Sequence, residues 1–162
     1  MQLSQPPRPK ASTFSFYEWA SVVGGFGLMP IAPGTWGSLP GVLLGAALSK
    51  YSTSTALTVS CLVVLGLLSA WVIAKTEAIW NRHDDKAIVI DEVVGQAICL
   101  SFVNPTITNL IIGFFLFRLF DILKPEPVGF FDRWEHSLGT LLDDVFAGIM
   151  AGICLLAFQL FL

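Results

Sequence analysis

The chain has 162 residues, of which 54% are hydrophobic and 13% are charged, and its net charge is −3. Soluble proteins carry roughly a quarter charged residues, so this composition, with a mean hydropathy of +0.72, indicates a membrane protein. The nine Lys and Arg residues are scattered along an acidic chain, which excludes a nucleic-acid-binding surface.

The N-terminal region is predicted to lie outside the folded domain. Residues 1–12 contain Pro6, Pro7 and Pro9 and are typical of a disordered cytoplasmic tail. We expect residues 13–162 to form a single membrane-embedded domain, because the composition shows no linker that would divide them.

A loop rich in glycine and proline comes next. Residues 19–49 carry no charge, yet the segment 24–38, GGFGLMPIAPGTWGS, is unsuited to a continuous helix. Irregular backbone at membrane depth must line a cavity or be buried in protein, so a re-entrant loop is predicted here. A short helix over residues 39–49 should follow, with Ser38 as its N-cap and Pro40 just inside it.

The remaining apolar segments predict an all-α membrane bundle with short, interrupted helices. Thr55 to Ala74 is uncharged and has the ~20 residues that a membrane-crossing helix needs. Val145 to Leu162 is a second predicted span. The run from Val93 to Phe120 is broken at Asn104 and Pro105, which favours a hairpin that enters the membrane and returns.

Charge placement favours one orientation. If the tail is cytoplasmic, alternation of the segments puts every basic residue except Lys50 on the cytoplasmic side, as the positive-inside rule requires. Five acidic residues then share the cytoplasmic boundary: Asp91, Glu92, Asp121, Asp143 and Asp144.

Two pairs of adjacent acids are candidate metal ligands. Asp91 and Glu92 should open a helix, where interaction with the helix dipole is the alternative explanation. Asp143 and Asp144 precede the final predicted span, where a solvated N-cap is the alternative. Because adjacent carboxylates repel, a shared divalent cation is the usual remedy, and all-oxygen ligands favour Mg²⁺ over zinc or copper.

Two further elements are typical of phosphate binding. Arg118, Asp121 and Lys124 are spaced to share one side of a helix, with an intrahelical salt-bridge ladder as the alternative. In the glycine-rich loop, backbone N–H groups and the hydroxyls of Thr35 and Ser38 precede a predicted helix N-terminus. A purely structural turn is the alternative for that loop.

Four motifs together resemble the bacterial phosphatidylglycerophosphatase A family, over nearly the whole chain from about Tyr17. They are GFGLMPIAPGTWGS, IVIDEVVGQ, FRLFDILKPEP and LLDDVFAG. The resemblance implies a Mg²⁺-dependent enzyme of the bacterial inner membrane that converts phosphatidylglycerol phosphate in the bilayer to phosphatidylglycerol. The chain differs from the family at Glu126, where an aromatic residue is common, and at Asp85, where Pro is frequent.

The resemblance also implies roles for individual residues. Catalytic and metal-binding roles fall on Asp91, Glu92, Asp121, Asp143 and Asp144. Substrate-binding roles fall on Gly34, Thr35, Ser38, Arg118 and Lys124.

The resulting hypothesis is direct metal-assisted hydrolysis by water on the cytoplasmic side. The motifs of phosphatases that form covalent intermediates are absent from the sequence. Two other classes stay open. Broken helices with intramembrane acids also occur in ion-coupled transporters and channels, and a non-catalytic scaffold would need none of the acids.

Overall fold

The computed structural model describes residues 7–159, and throughout that range the chain is helical or irregular, with no strand. This confirms the predicted all-α class. Two short 3-10 helices, Ala11–Thr13 and Val23–Leu28, accompany seven α-helices. The α-helices are α1 (Phe16–Ser21), α2 (Pro33–Tyr51), α3 (Thr55–Trp80), α4 (Ile90–Leu100), α5 (Ile107–Leu123), α6 (Val128–Asp132) and α7 (Ser137–Gln159).

The short helix α4 lies at the centre of the bundle. It packs against α2, α3, α5 and α7, most extensively against α2 and α7. Nearly all of its side chains are buried. With 11 residues, α4 is only about 16 Å long. Because other helices surround it on several sides, even the groups on its first turn lie inside the protein.

Within residues 7–159, two helices, α3 and α7, are long and apolar enough to cross a membrane. Large apolar side chains also cover much of the surface, for example Leu67, which is 68% exposed, and Phe115, which is 65% exposed. An apolar surface of this extent indicates association with a membrane.

The start of α3 agrees with the predicted span, but the bounds of the last helix do not. The sequence placed the start of the final helix at Val145, whereas α7 begins at Ser137 and contains Asp143 and Asp144 in its second turn. These acids face buried neighbours inside the bundle, so they interrupt the apolar run without ending the helix.

The predicted loop at residues 24–38 is also shorter in the structure. The α2 helix begins at Pro33, with Ala32 in a left-handed conformation before it, so Ser38 lies inside the helix and is not its N-cap. Gly34 and Gly37, two of the glycines that suggested a loop, lie inside α2, and a Cβ on Gly37 would lie 2.5 Å from Val89 Cβ. Glycines further along α2 make similar contacts. A Cβ on Gly41 would lie 2.7 Å from the Val93 carbonyl oxygen, and one on Gly45 would lie 2.8 Å from Leu100 Cβ. Small residues of this kind let two helix backbones approach closely.

The break at Asn104 and Pro105 separates two helices as predicted. The helices α4 and α5 pack against each other and contribute Cys99, Leu100 and Phe117 to one buried cluster. The turn is held by Asn109, whose side-chain amide donates to the Asn104 carbonyl at 2.8 Å.

Part of the predicted N-terminal tail contacts the fold. Arg8 forms an ion pair with Asp85, and its guanidinium carbon lies 5.4 Å from the Trp80 ring centroid. Residues 1–6 of the tail lie outside the described residues.

The backbones of α4 and α7 approach each other closely. A Cβ on Gly148 would collide with the Gly95 carbonyl, and a Cβ on Gly95 would collide with the Asp144 carbonyl and lie 2.6 Å from Phe117 Cε2. The two carbonyl groups belong to the backbone and cannot move aside as the end of a long side chain can. A larger residue at Gly148 or Gly95 would therefore force the helices apart.

We therefore expect Gly148→Val to destabilise the protein by about 1–3 kcal/mol, the usual cost of overpacking. Thermal unfolding of the purified protein in detergent measures the change. The control is Gly66→Ala, because a Cβ there meets nothing within 4 Å. An unchanged unfolding temperature for Gly148→Val would contradict the close α4–α7 contact.

Candidate active site

A polar cavity of about 240 Å³ opens at one end of the bundle. It is lined by the N-terminus of α2, the first turn of α4, the end of α5, the start of α7 and the loop between α3 and α4. Its charged lining residues are Asp84, Lys86, Asp91, Glu92, Arg118, Asp121, Lys124, Asp143 and Asp144. The five predicted acids and both predicted basic residues therefore line the same cavity, although they come from α4, α7 and α5 with the residue that caps it.

Three of the acids form a compact group. Carboxylate oxygens of Asp91, Glu92 and Asp144 all lie within 4.8 Å of one another. Asp91 and Glu92 occupy the first turn of α4, and the α4–α7 contact places Asp144 beside them. Glu92 Oε2 and Asp144 Oδ1 are buried and have no hydrogen-bond partner among the described residues.

The electrostatics of this group favour a cation. Burial raises the pKa of Glu92 to about 8, and the carboxylates of Asp144 and Asp121 add to the effect. Burial, followed by the charge of Glu92, raises the pKa of Asp91 well above its usual range. Three buried carboxylates at these separations oppose one another's ionisation. A divalent cation that accepts oxygen ligands would remove that conflict and engage the unpartnered oxygens, so the group fits Mg²⁺.

The other two predicted metal ligands line the cavity but lie outside the compact group. Asp121 pairs with Arg118 at 2.7 Å, and Asp143 pairs with Lys124 at 2.8 Å. The Arg118–Asp121 pair is the intrahelical salt bridge that the spacing allowed. Lys124 instead pairs across elements, since it also contacts Asp132. In the structure, each of these two carboxylates is paired with a basic side chain of the cavity lining.

The three residues predicted from the glycine-rich loop have different positions. Gly34 lines the cavity, where a Cβ would collide with Glu92 Oε1 and lie 3.1 Å from Arg118 Nη1. Ser38 is buried outside the lining, where it donates to the Gly34 carbonyl at 2.8 Å and accepts from Arg118 Nη1 at 3.4 Å. Thr35 is half-buried and is not part of the lining. Ser38 thus positions Arg118 rather than facing the cavity.

Three polar lining residues were not predicted: Asp84, Lys86 and Thr140. The first two lie on the loop between α3 and α4, which is anchored by Glu77. That carboxylate accepts from the Asp84 backbone N–H at 2.9 Å, contacts His83 Nδ1 at 2.7 Å and accepts from Ser137 Oγ. No local sequence pattern marked these residues, because the loop reaches the cavity only through contacts made by α3 and α7.

Lys86 differs from the other two cations of the cavity. It is exposed, and its ammonium forms no ion pair with any residue in the range 7–159. Arg118 and Lys124 are both engaged by carboxylates. Lys86 is therefore the cavity cation with its donors available to an incoming anion.

The helical fold, the apolar surface and this cavity define a class of protein: a membrane-associated helical protein with an acidic cavity whose carboxylates could hold a cation. The chain belongs to the phosphatidylglycerophosphatase A family, whose family model matches residues 19–159. It is therefore a phosphatase. Both the predicted family and the predicted enzyme class are confirmed.

Similar curated proteins cover most of the chain. A phosphatidylglycerophosphatase A of Haemophilus influenzae is 40% identical over 94% of both chains. One of Escherichia coli K12 is 35% identical over 83% of this chain and 80% of its own length. A putative phosphatidylinositol-3-phosphatase of Bacteroides thetaiotaomicron is 37% identical over 80% of this chain and 84% of its own. No solved structure matches the chain significantly.

We expect Lys86→Gln to raise KM for a lipid phosphomonoester about threefold to tenfold, because an exposed ammonium contributes a modest charge-assisted contact. Steady-state phosphate release measures this, and Lys86→Arg should restore most of the loss. Lys50→Gln is the matched control, since Lys50 lies at the far end of α2. Equal KM values for Lys86→Gln and Lys50→Gln would show that Lys86 does not contact the substrate.

Proposed function

We propose that this phosphatase removes the terminal phosphate of phosphatidylglycerol phosphate, in a Mg²⁺-dependent reaction that yields phosphatidylglycerol. The observation that carries the proposal is the group formed by Asp91, Glu92 and Asp144 inside a cavity that also presents Arg118 and Lys124. The names of two relatives, both phosphatidylglycerophosphatase A, support the choice of substrate.

Asp91, Glu92 and Asp144 would hold the Mg²⁺. When bound there, Mg²⁺ would neutralise part of the phosphate charge and lower the pKa of a water molecule that it binds. Asp121 and Asp143 are engaged in ion pairs, and we assign them to Arg118 and Lys124. Their roles as direct ligands, implied by the family resemblance, stay a prediction.

The residues around the carboxylate group bind and orient the phosphate. The guanidinium of Arg118, fixed by Asp121 and Ser38, is preorganised to donate to phosphoryl oxygens. Pro33 and Gly34 place the N-terminus of α2 at the cavity, and a helix N-terminus favours an anion. In hydrolysis, a water oxygen bonds to phosphorus, the P–O ester bond breaks, and the lipid leaves with a hydroxyl group.

The proposal also places the protein as a multi-pass protein of the bacterial inner membrane, with the cavity facing the cytoplasm. The cavity end of the bundle carries Lys86 and Lys124 and lies beyond the C-terminal end of α3, whereas Lys50 lies at the opposite end of α2. This distribution supports the orientation through the positive-inside rule. A lipid head group at the membrane surface would then meet the cavity while most of each acyl chain stays in the bilayer.

We expect Asp144→Asn to lower kcat for phosphatidylglycerol phosphate at least about 10²-fold, comparable to losses at other charge-stabilising sites. EDTA should abolish the wild-type activity, and Mg²⁺ should restore it. The control is Glu135→Gln, which changes an exposed carboxylate near the start of α7.

A second measurement tests the metal without activity. Mg²⁺ should raise the unfolding temperature of the wild type, because a ligand that binds the folded state stabilises it. Asp144→Asn should lose this rise, and Glu135→Gln should keep it. Equal phosphate release with Mg²⁺ and with EDTA would reject the metal role. Faster cleavage of phosphatidylinositol 3-phosphate than of phosphatidylglycerol phosphate would reject the substrate.

A further inference from the structure

An apolar groove of about 230 Å³ runs between α2 and α5. It is lined by Leu39, Val42, Leu110, Ile111, Phe114 and Phe115, with no polar side chain among them. Leu39, Ile111 and Phe115 are 40%, 53% and 65% exposed, so the groove opens on the outer surface of the bundle.

The groove and the polar cavity are lined by neighbouring segments of the same two helices. Gly34 and Arg118 line the cavity, and Leu39 and Phe114 line the groove. Phe114 lies one helical turn before Arg118 on the same face, and Leu39 follows Ser38, which contacts Arg118 at 3.4 Å. A molecule that spans the two spaces would pass directly over the Arg118 side chain.

The chemistry on the two sides of Arg118 differs sharply. The cavity presents cations and a carboxylate group suited to a phosphate and its metal, whereas the groove presents only hydrocarbon. An amphipathic anion with its charge at one end and a hydrocarbon chain at the other matches this arrangement.

We propose that the α2–α5 groove holds the part of one acyl chain that lies nearest the glycerol of the lipid substrate. This inference rests on the proposed function, because it takes a lipid phosphate as the occupant of the cavity. From Leu110 to Phe115 the groove extends about 7 Å along α5, which suits the first few methylenes of a chain. The rest of the chain lies in the bilayer.

Two other apolar grooves are less well placed. The groove between α2 and α3, lined in part by Leu44 and Val64, starts far along both helices from the cavity. The groove between α3 and α7 has Leu138 and Leu142 near the cavity. However, Glu77 crosses from α3 to Ser137 at that end, where it also binds the Asp84 backbone, so a chain entering from the cavity meets this polar contact first.

The groove acts by positioning rather than by affinity. Lipid tails are as apolar as the side chains of the groove, so moving a chain from the bilayer into it gains little hydrophobic free energy. Holding the first methylenes does, however, fix the distance between the glycerol and the phosphate site. A misplacement of about 1 Å at a reacting centre can cost ~10²-fold in rate.

We therefore expect Ile111→Trp, which fills the groove, to lower kcat at least about tenfold on the long-chain lipid phosphomonoester that the wild type cleaves fastest. The matched control is Val64→Trp in the α2–α3 groove, because Val64 is 56% exposed and Ile111 is 53% exposed. Thermal unfolding of both variants verifies that they are equally folded.

A cross-linking experiment locates the chain without relying on turnover. The full-length protein in phosphatidylcholine nanodiscs is exposed to phosphatidylglycerol phosphate that carries a diazirine near the carboxyl end of one acyl chain. Irradiation should label residues of the α2–α5 groove, and excess unlabelled phosphatidylglycerol phosphate should suppress that labelling.

The outcomes separate this inference from the proposed function. Labelling that the competitor does not suppress identifies bulk lipid and overturns the inference, as does suppressible labelling of the α3–α7 groove. Unchanged kcat in Ile111→Trp also overturns it. A different result would reject only the proposed substrate. In that case the protein does not cleave phosphatidylglycerol phosphate but cleaves another lipid phosphate, and the acyl chain of that lipid labels the α2–α5 groove.

Discussion

The contact between α4 and α7 is the constraint on which the site depends. Gly148 and Gly95 allow the two backbones to touch, and this places Asp144 beside the carboxylates of Asp91 and Glu92. Burying three carboxylates together is costly. Helix packing must therefore hold them against their mutual repulsion before any cation binds. An acidic site built in this way is preorganised, since its ligands come from helices rather than from mobile loops.

The charge balance of the cavity gives a physical reason for a cation to bind before an anionic substrate. Six acids and three bases line it, so three negative charges are in excess when all of these groups are ionised. A phosphate dianion would be repelled from such a space. The ion pairs Arg118–Asp121 and Lys124–Asp143 already offset two of these acids, which leaves the compact carboxylate group as the main source of repulsion. Neutralising that group would change the net charge of the cavity from one that favours a cation to one that favours an anion.

The sequence predicted those features that depend on composition and local spacing. The start of α3, the break at Asn104 and the first turn of α4 follow from an apolar run, a turn signal and an acid pair. The predicted start of α2 was wrong because the helix propensity of glycine was weighed without the neighbouring segment, and only the packed structure shows that Gly37 lies against Val89. The start of α7 was wrong for a related reason, since acids inside a bundle need not end a helix.

The site residues show the same division between local and tertiary information. The five acids and two cations were recognisable because charge at the edge of an apolar run is costly without a purpose. Ser38 was expected to face phosphate, yet its hydroxyl is turned inward between Gly34 and Arg118. That inward position has a consequence for the architecture. Gly34 and Ser38 together bring α2 against Arg118, so the same helix pair that closes the polar cavity also forms the apolar groove beyond it. The contact of Gly34 and Ser38 with Arg118 thus sets the boundary between the polar cavity and the apolar groove.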